Sequence, residues 1–126
     1  MSKRGENIEW RSVCPICSGL DVLGDKWTML IIRDLIIHGP MTYSELIESP
    51  EHVSTNILAD RLDLLLSLKL IKRVHPEKSA RNNAFQLTDS GAALRPVLES
   101  LAIWSQTHLK EFHKNIVSIS PKKKKK

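Results

Sequence analysis

Cys14 and Cys17, in the run Cys-Pro-Ile-Cys, are the most reactive side chains in this sequence. Thiols at that spacing can exchange disulfides, respond to oxidants or electrophiles, or supply half of a zinc site. A thioredoxin-like oxidoreductase needs the pair after a strand in a βαβ setting, and here Pro15 leads directly into a helical pattern. A helix N-terminus favours thiolate, which makes Cys14 a candidate reactive thiol. The plainer alternative is a small apolar residue buried without chemistry. Zinc would require His108 and His113 to converge on the cysteines from the far end of the chain. Paired histidines on a helix are ordinarily surface residues, so no metal and no cofactor are expected. His38, His52 and His75 fall at a helix end, a turn and a strand end, and no Ser/His/Asp constellation accompanies them. Catalysis is not the expected function.

A second group of residues could read DNA. Ser54, Thr55, Asn56 and Ala59 open a helix that runs into a basic two-stranded segment ending at Phe85-Gln86-Leu87-Thr88. In a helix-turn-helix the start of the second helix reaches base edges while neighbouring groups rest on phosphates. Asn can bond an adenine edge twice, Ser and Thr can donate or accept, and Ala or a Thr methyl can touch a thymine methyl. Ser54 also has a job without any ligand, as an N-cap. Asn56 is the sharper signal, because Asn is a mediocre helix former where Glu or Lys would serve an ordinary surface. Arg61 could meet phosphate or pair with Glu45 or Asp60. Lys78, Arg81 and Asn82, at the tip of the ribbon, are candidates for minor-groove or phosphate contact. A charged hairpin edge can equally serve only to discourage pairing with other chains.

Charge supports this through its distribution. The net charge is +5, but Lys122–Lys126 contribute all of that excess, and the remaining 14 Lys and Arg equal the 14 Asp and Glu. From Lys69 to Arg81, by contrast, five cations face one anion, a local excess suited to phosphate. The terminal lysines are expected to form a solvated, basic, disordered tail whose attraction to nucleic acid would be salt-dependent and blind to sequence. No apolar run approaches the roughly 20 residues of a membrane span, and the polar start is not a signal peptide. A cytoplasmic protein without membrane association is expected.

The elements that would position these groups read as follows. Pro15 to Leu23 is a short helix ended by Gly24, and Asp25 caps a helix from Lys26 to Ile37 that is apolar almost all round. Such a helix belongs at the centre of a core. Its expected stripe is Trp27, Leu30, Ile31 and Leu35, and His38-Gly39-Pro40 stops it, with Gly in a left-handed cap. Thr42-Tyr43-Ser44-Glu45 is a capping box. Ser54 opens a helix to about Leu68 with Ile57, Leu58, Leu62, Leu65 and Leu66 inward. Ile71 to His75 and Ala84 to Leu87 alternate as paired strands. Thr88 or Asp89 opens a last long helix whose apolar residues recur from Leu94 through Leu101 to Ile116, with Pro96 a kink or a fresh start. So long an apolar stripe predicts packing against a second subunit, with the N-terminal helix alongside. The expected fold is mainly α with a small β-hairpin, a winged helix-turn-helix dimerising through its N- and C-terminal helices. Residues 1–12 form a polar N-terminal segment, 13–117 the domain and 118–126 the tail.

In order along the chain, Cys14-Pro15-Ile16, Leu20-Asp21-Val22-Leu23-Gly24-Asp25-Lys26-Trp27-Thr28 and Ile31-Ile32-Arg33-Asp34-Leu35 are followed by Gly39-Pro40 and Tyr43-Ser44-Glu45-Leu46. Ser54 to Leu62 and Leu87-Thr88 with Gly91 and Leu94 to Leu98 complete the series. Together they resemble the HxlR-type family of MarR-like winged helix-turn-helix transcription regulators, over about Cys14 to Trp104. The resemblance implies a homodimer, joined by terminal helices, that binds an inverted-repeat operator in double-stranded DNA, as a repressor in the leading reading. It also implies that Cys14, by position, is the thiol through which some members respond to oxidants or electrophiles, so an oxidant or small-molecule effector is expected, with Cys17 as its neighbour. Two features depart from the pattern. Lys69 stands where the family has Gly, a left-handed position that costs a Lys roughly 1 kcal/mol. The tip Ser79-Ala80-Arg81-Asn82-Asn83 with Phe85 lacks the family's Pro-Arg pair and Tyr. The competing readings are a small thiol-redox protein built on Cys14 and Cys17, and a winged helix used only for protein–protein contact.

Overall fold

The computed structural model describes residues 7–77 and 83–118. Its elements are α1 (Pro15–Leu23), α2 (Lys26–His38), β1 (Met41–Thr42), α3 (Tyr43–Ile47), α4 (Thr55–Ser67), β2 (Ile71–Arg73), β3 (Ala84–Leu87), α5 (Asp89–Ala92) and α6 (Arg95–His108). The chain divides into two compact units, Met1–Ala92 and Ala93–Lys126.

Local capping chemistry sets most boundaries in the first unit. The Asp25 carboxylate accepts the backbone N–H groups of Trp27 and Thr28, which start α2. Gly39, at φ 77°, ends it with its N–H on the Leu35 carbonyl; that positive φ suits a residue without Cβ. The Thr42–Glu45 box is complete in both directions and opens α3. The core is built from Ile31, Ile32 and Leu35 of α2, Leu46 of α3, Leu58, Leu62, Leu64 and Leu65 of α4, Ile71 of β2 and Phe85 of β3.

The expected stripes need correcting in two places. On α2 the stripe keeps Ile31 and Leu35, but Trp27 and Leu30 are only half-buried, Ile32 is buried and Ile37 is exposed. The polar Thr28 and Asp34 are buried as well, because Asp25 satisfies Thr28 and Arg33 satisfies Asp34. On α4 the inward set includes Leu64, whereas Ile57 and Leu66 are only half-buried. The hairpin is antiparallel, with Ile71 opposite Leu87 and Arg73 opposite Phe85. β1 adds a third, unforeseen strand, Met41 opposite Phe85 and Thr42 opposite Ala84, giving the order β1-β3-β2.

The end of α4 shows what Lys69 does. Its N–H bonds the Leu66 carbonyl and the next N–H, of Leu70, reaches back to Leu65, the paired bonds of a Schellman motif. Lys69 therefore occupies the left-handed position, at φ 64°. Its carbonyl accepts the hydroxyls of Thr88 at 2.7 Å and Ser90 at 3.1 Å, which hold the strained residue in place. Just beyond, a Cβ on Gly91 would lie 2.1 Å from the Leu70 carbonyl oxygen, so only glycine fits. Replacing Lys69 with Gly is expected to raise unfolding free energy by about 0.5–1 kcal/mol, the relieved strain less the greater freedom of Gly in the unfolded chain. An unchanged or lower urea midpoint would show that the left-handed lysine is not strained.

The second unit holds α6. Of the two alternatives at Pro96, a kink or a fresh start, the structure shows the fresh start: α5 is one short turn capped by Thr88, whose Oγ1 accepts the Gly91 N–H, and Pro96 lies in the first turn of α6. Helical backbone stops at His108, so Leu109, Phe112 and Ile116 lie beyond it in a series of turns. Among the described residues no helix is long and apolar enough to cross a membrane.

Candidate nucleic-acid interface

Helices α3 and α4, joined by residues 48–54, form the helix-turn-helix. The joint is built from short-range bonds, Ser49 N–H to the Leu46 carbonyl and His52 N–H to the Ser49 carbonyl, with His52 itself at φ 62°. Val53 drops into the core and pins the turn from below. Ser54 then caps α4, its hydroxyl accepting the Ile57 N–H at 3.2 Å. From the other helix, the Tyr43 hydroxyl donates to the Thr55 carbonyl at 3.0 Å and fixes the first turn of α4 against α3. The face opposite the leucines carries Ser54, Thr55, Asn56 and Ala59, all exposed. Four residues singled out in the sequence are thus brought together on one accessible patch.

Arg33 secures the turn from α2. Its guanidinium contacts Asp34 at 2.7 Å, Glu51 at 2.8 and 2.9 Å, and Ser49 at 3.3 Å. The hydrogen bonds from Arg33 hold the Glu51 carboxyl down to about 2, and those to Glu51 raise the Arg33 pKa. Since the folded-state value lies below the ordinary 4.5, the bond stabilises the fold fully above about pH 4.5 and is lost as pH falls through about 2. The stability difference between the parent and Glu51→Gln should therefore be constant near neutrality and shrink on acidification across that window. Urea titrations at several pH values would show it, and a gap independent of pH would contradict it.

Arg61 is placed differently from its neighbours. Its Nε lies 3.1 Å from Asp25 and a terminal nitrogen 2.6 Å from Asp60, with only 23% of the side chain exposed. The pairing with Asp60 was one of the sequence alternatives; Glu45 is not its partner, and Asp25, 36 residues away, could not be foreseen.

In the ribbon, Lys72 is exposed and Arg73 lies over the Phe85 ring at 5.9 Å. Lys78, Arg81 and Asn82 lie outside the described residues. The residue that organises the base of the tip is Asn83, which sequence pattern alone assigns to the loop. It is fully buried, its Oδ1 accepting the His75 N–H at 2.9 Å and its Nδ2 donating to the His75 carbonyl. The side chain thereby extends the ladder one step past the bond from Val74 N–H to the Ala84 carbonyl. A buried Asn at a strand end has no periodic signal.

Cys14 is the N-cap residue of α1, exposed, with its own N–H on Ser12 Oγ at 3.1 Å. Cys17 is half-buried, and both thiols are free. Among the described residues no cluster of three or more His, Cys, Asp or Glu could hold a metal ion.

Residues 22–113 match the family described as HxlR-like helix-turn-helix. The chain belongs to that family. It is a DNA-binding transcriptional regulator of the helix-turn-helix type and not an enzyme. Among relatives, the HTH-type transcriptional regulator YodB of Bacillus subtilis (strain 168) is 31% identical over 96 residues, 75% of this chain and 84% of that protein. YvaP, an HTH-type transcriptional regulator from the same organism, is 33% identical over 95 residues, covering 74% and 86%. The reduced form of YodB superposes with a TM-score of 0.65 at 27% identity, over 79% of this chain and 98% of YodB. The quinone-bound form superposes with a TM-score of 0.62 at 29% identity, over 75% and 99%. A MarR-family regulator from Porphyromonas gingivalis W83 gives 0.67 at 26% identity, covering 77% and 94%. The winged helix of this HxlR-like regulator is thus shared with MarR-type proteins, as its sequence predicts.

Proposed function

We propose that this HxlR-like regulator is a homodimeric repressor that binds an inverted-repeat operator and leaves it when Cys14 is oxidised or alkylated. The observation that carries the reading is the exposed patch of Thr55, Asn56 and Ala59 on a helix whose first turn is fixed by Ser54 and Tyr43. Base edges in a major groove match those side chains, and the cationic ribbon, including Lys78 and Arg81 with Asn82, rests on adjoining backbone. Dimerisation is supported by exposed apolar side chains at the terminal helices: Val13 just before α1, Ile16 and Leu20 on it, and Val97, Leu101 and Trp104 along α6. A twofold pair would set the two reading helices about 34–36 Å apart, one duplex turn.

The thiol switch is supported by the exposure of Cys14 and by the likeness to YodB, of which quinone-bound and diamide-treated forms are known. A quinone would add at a ring carbon to the Cys14 sulfur, the ring taking up the released proton as it becomes a hydroquinone. Diamide would take two electrons and two protons from a pair of thiols, leaving a disulfide and a hydrazine. Sequencing the DNA fragments retained by purified protein, with and without diamide or a benzoquinone, tests both parts. A specific retained set that collapses with either reagent, and persists for Cys14→Ser, is the expected result. Retention of unrelated sequences would refute operator reading, and an unresponsive specific set would refute the switch alone.

A further inference from the structure

We propose that Arg61 is a positioning residue: through Asp25 it sets the angle at which α4 meets DNA, and it does not itself contact phosphate. This inference rests on the DNA-reading role of α4 proposed above. A single carboxylate, that of Asp25, gathers four donors. Its Oδ1 accepts the N–H groups of Trp27 at 2.8 Å and Thr28 at 3.2 Å, and its Oδ2 accepts Thr28 Oγ1 at 2.7 Å and Arg61 Nε at 3.1 Å. Thr28 is completely buried, so the carboxylate is anchored to the core and cannot follow a swinging side chain. Burial tends to raise the Asp25 pKa, yet the bonds from Thr28 and Arg61 outweigh it and leave the group below its ordinary value. It is therefore charged whenever the protein is folded at neutral pH.

Arg61 sits in the second turn of α4, two residues past Ala59, and grips Asp60 of its own helix with the other end of its fork. The fork thus joins the reading helix to the fixed start of α2. Moving Arg61 to a phosphate would break two charge-assisted bonds that a planar guanidinium makes at once. What remains for a phosphate is an arm less than a quarter exposed.

Full-length protein, its enriched operator duplex and a scrambled duplex, titrated over a salt series, provide the test. Asp25→Ser keeps a capping hydroxyl but removes the ion pair. Arg61→Gln removes the cation, and Arg61→Lys keeps the cation but loses the fork. Each is expected to lower the preference for operator over scrambled duplex by about tenfold, within the range for coupled neighbours. The slope of log affinity against log salt should stay unchanged, and Asp25→Ser/Arg61→Gln should be no worse than either single change. The inference is overturned if Arg61→Lys binds like the parent while Arg61→Gln loses about 0.9 of slope, the mark of one phosphate contact. Additive losses in the double variant would also overturn it. Circular dichroism checks folding, and if Asp25→Ser fails to fold, Arg61→Lys, which leaves the Asp25 cap intact, decides alone. A parent protein indifferent to duplex sequence would sink both this inference and the reading beneath it, whereas parent discrimination with unaffected variants sinks this one only.

Discussion

Asn56→Ala is expected to abolish most of the operator preference while leaving the protein as stable as before. The side chain is exposed in the first turn of α4 and supports no part of the core, and alanine is the better helix former. A two-point Asn–adenine contact is worth about 1–3 kcal/mol of discrimination. A dimer reads it twice, so the expected loss for a symmetric operator is roughly 2–6 kcal/mol, or about 30-fold to more than 10⁴-fold. Affinity for scrambled duplex and the salt slope should not move, because neither depends on a neutral side chain in the groove. A competition titration against scrambled duplex measures all three quantities. An unchanged preference would take Asn56 out of base reading and return the patch to ordinary helix surface.

The features of this fold that were legible in the sequence are those written in neighbouring residues. Asp25, the Thr42–Glu45 box and Ser54 each announce a helix start through a side chain that reaches three positions or fewer, and the hairpin announces itself by alternation. The features that were missed depend on residues distant in sequence. β1 is two residues long, too short to show any period, and exists because Phe85 and Ala84, far along the chain, pair with it. In α4 the run Leu64-Leu65-Leu66 offers no contrast from which to choose the inward members. In α2, Thr28 and Asp34 are buried against the hydrophobic pattern because charged partners, the Asp25 carboxylate and the Arg33 guanidinium, satisfy them. The same limit applies at the interface: Ser54, Thr55, Asn56 and Ala59 share one surface because a helix start places them there. The duties of Arg61 and Asn83 depend on Asp25 and on the backbone of His75.

Leu101→Glu is the second variant with a large expected effect, and it bears on dimerisation, which Asn56 does not touch. Leu101 is 47% exposed in a row with Val97 and Trp104 on α6, so a carboxylate there stays solvated in a single chain and should leave its folding intact. Across a dimer contact the same carboxylate would be buried without a partner, a penalty of several kcal/mol at each of two symmetric positions. The expected product is a folded monomer by sedimentation. Separating the subunits removes the gain from linking two half-site contacts, which commonly amounts to about 10²–10⁴ in apparent affinity. Binding to a full operator should fall by that factor, while binding to an isolated half-site should match that of one parent subunit, because Thr55 and Asn56 are untouched. The two measurements together separate failed assembly from failed reading. A Leu101→Glu protein that still sediments as a dimer in the absence of DNA would place the subunit contact away from this face of α6.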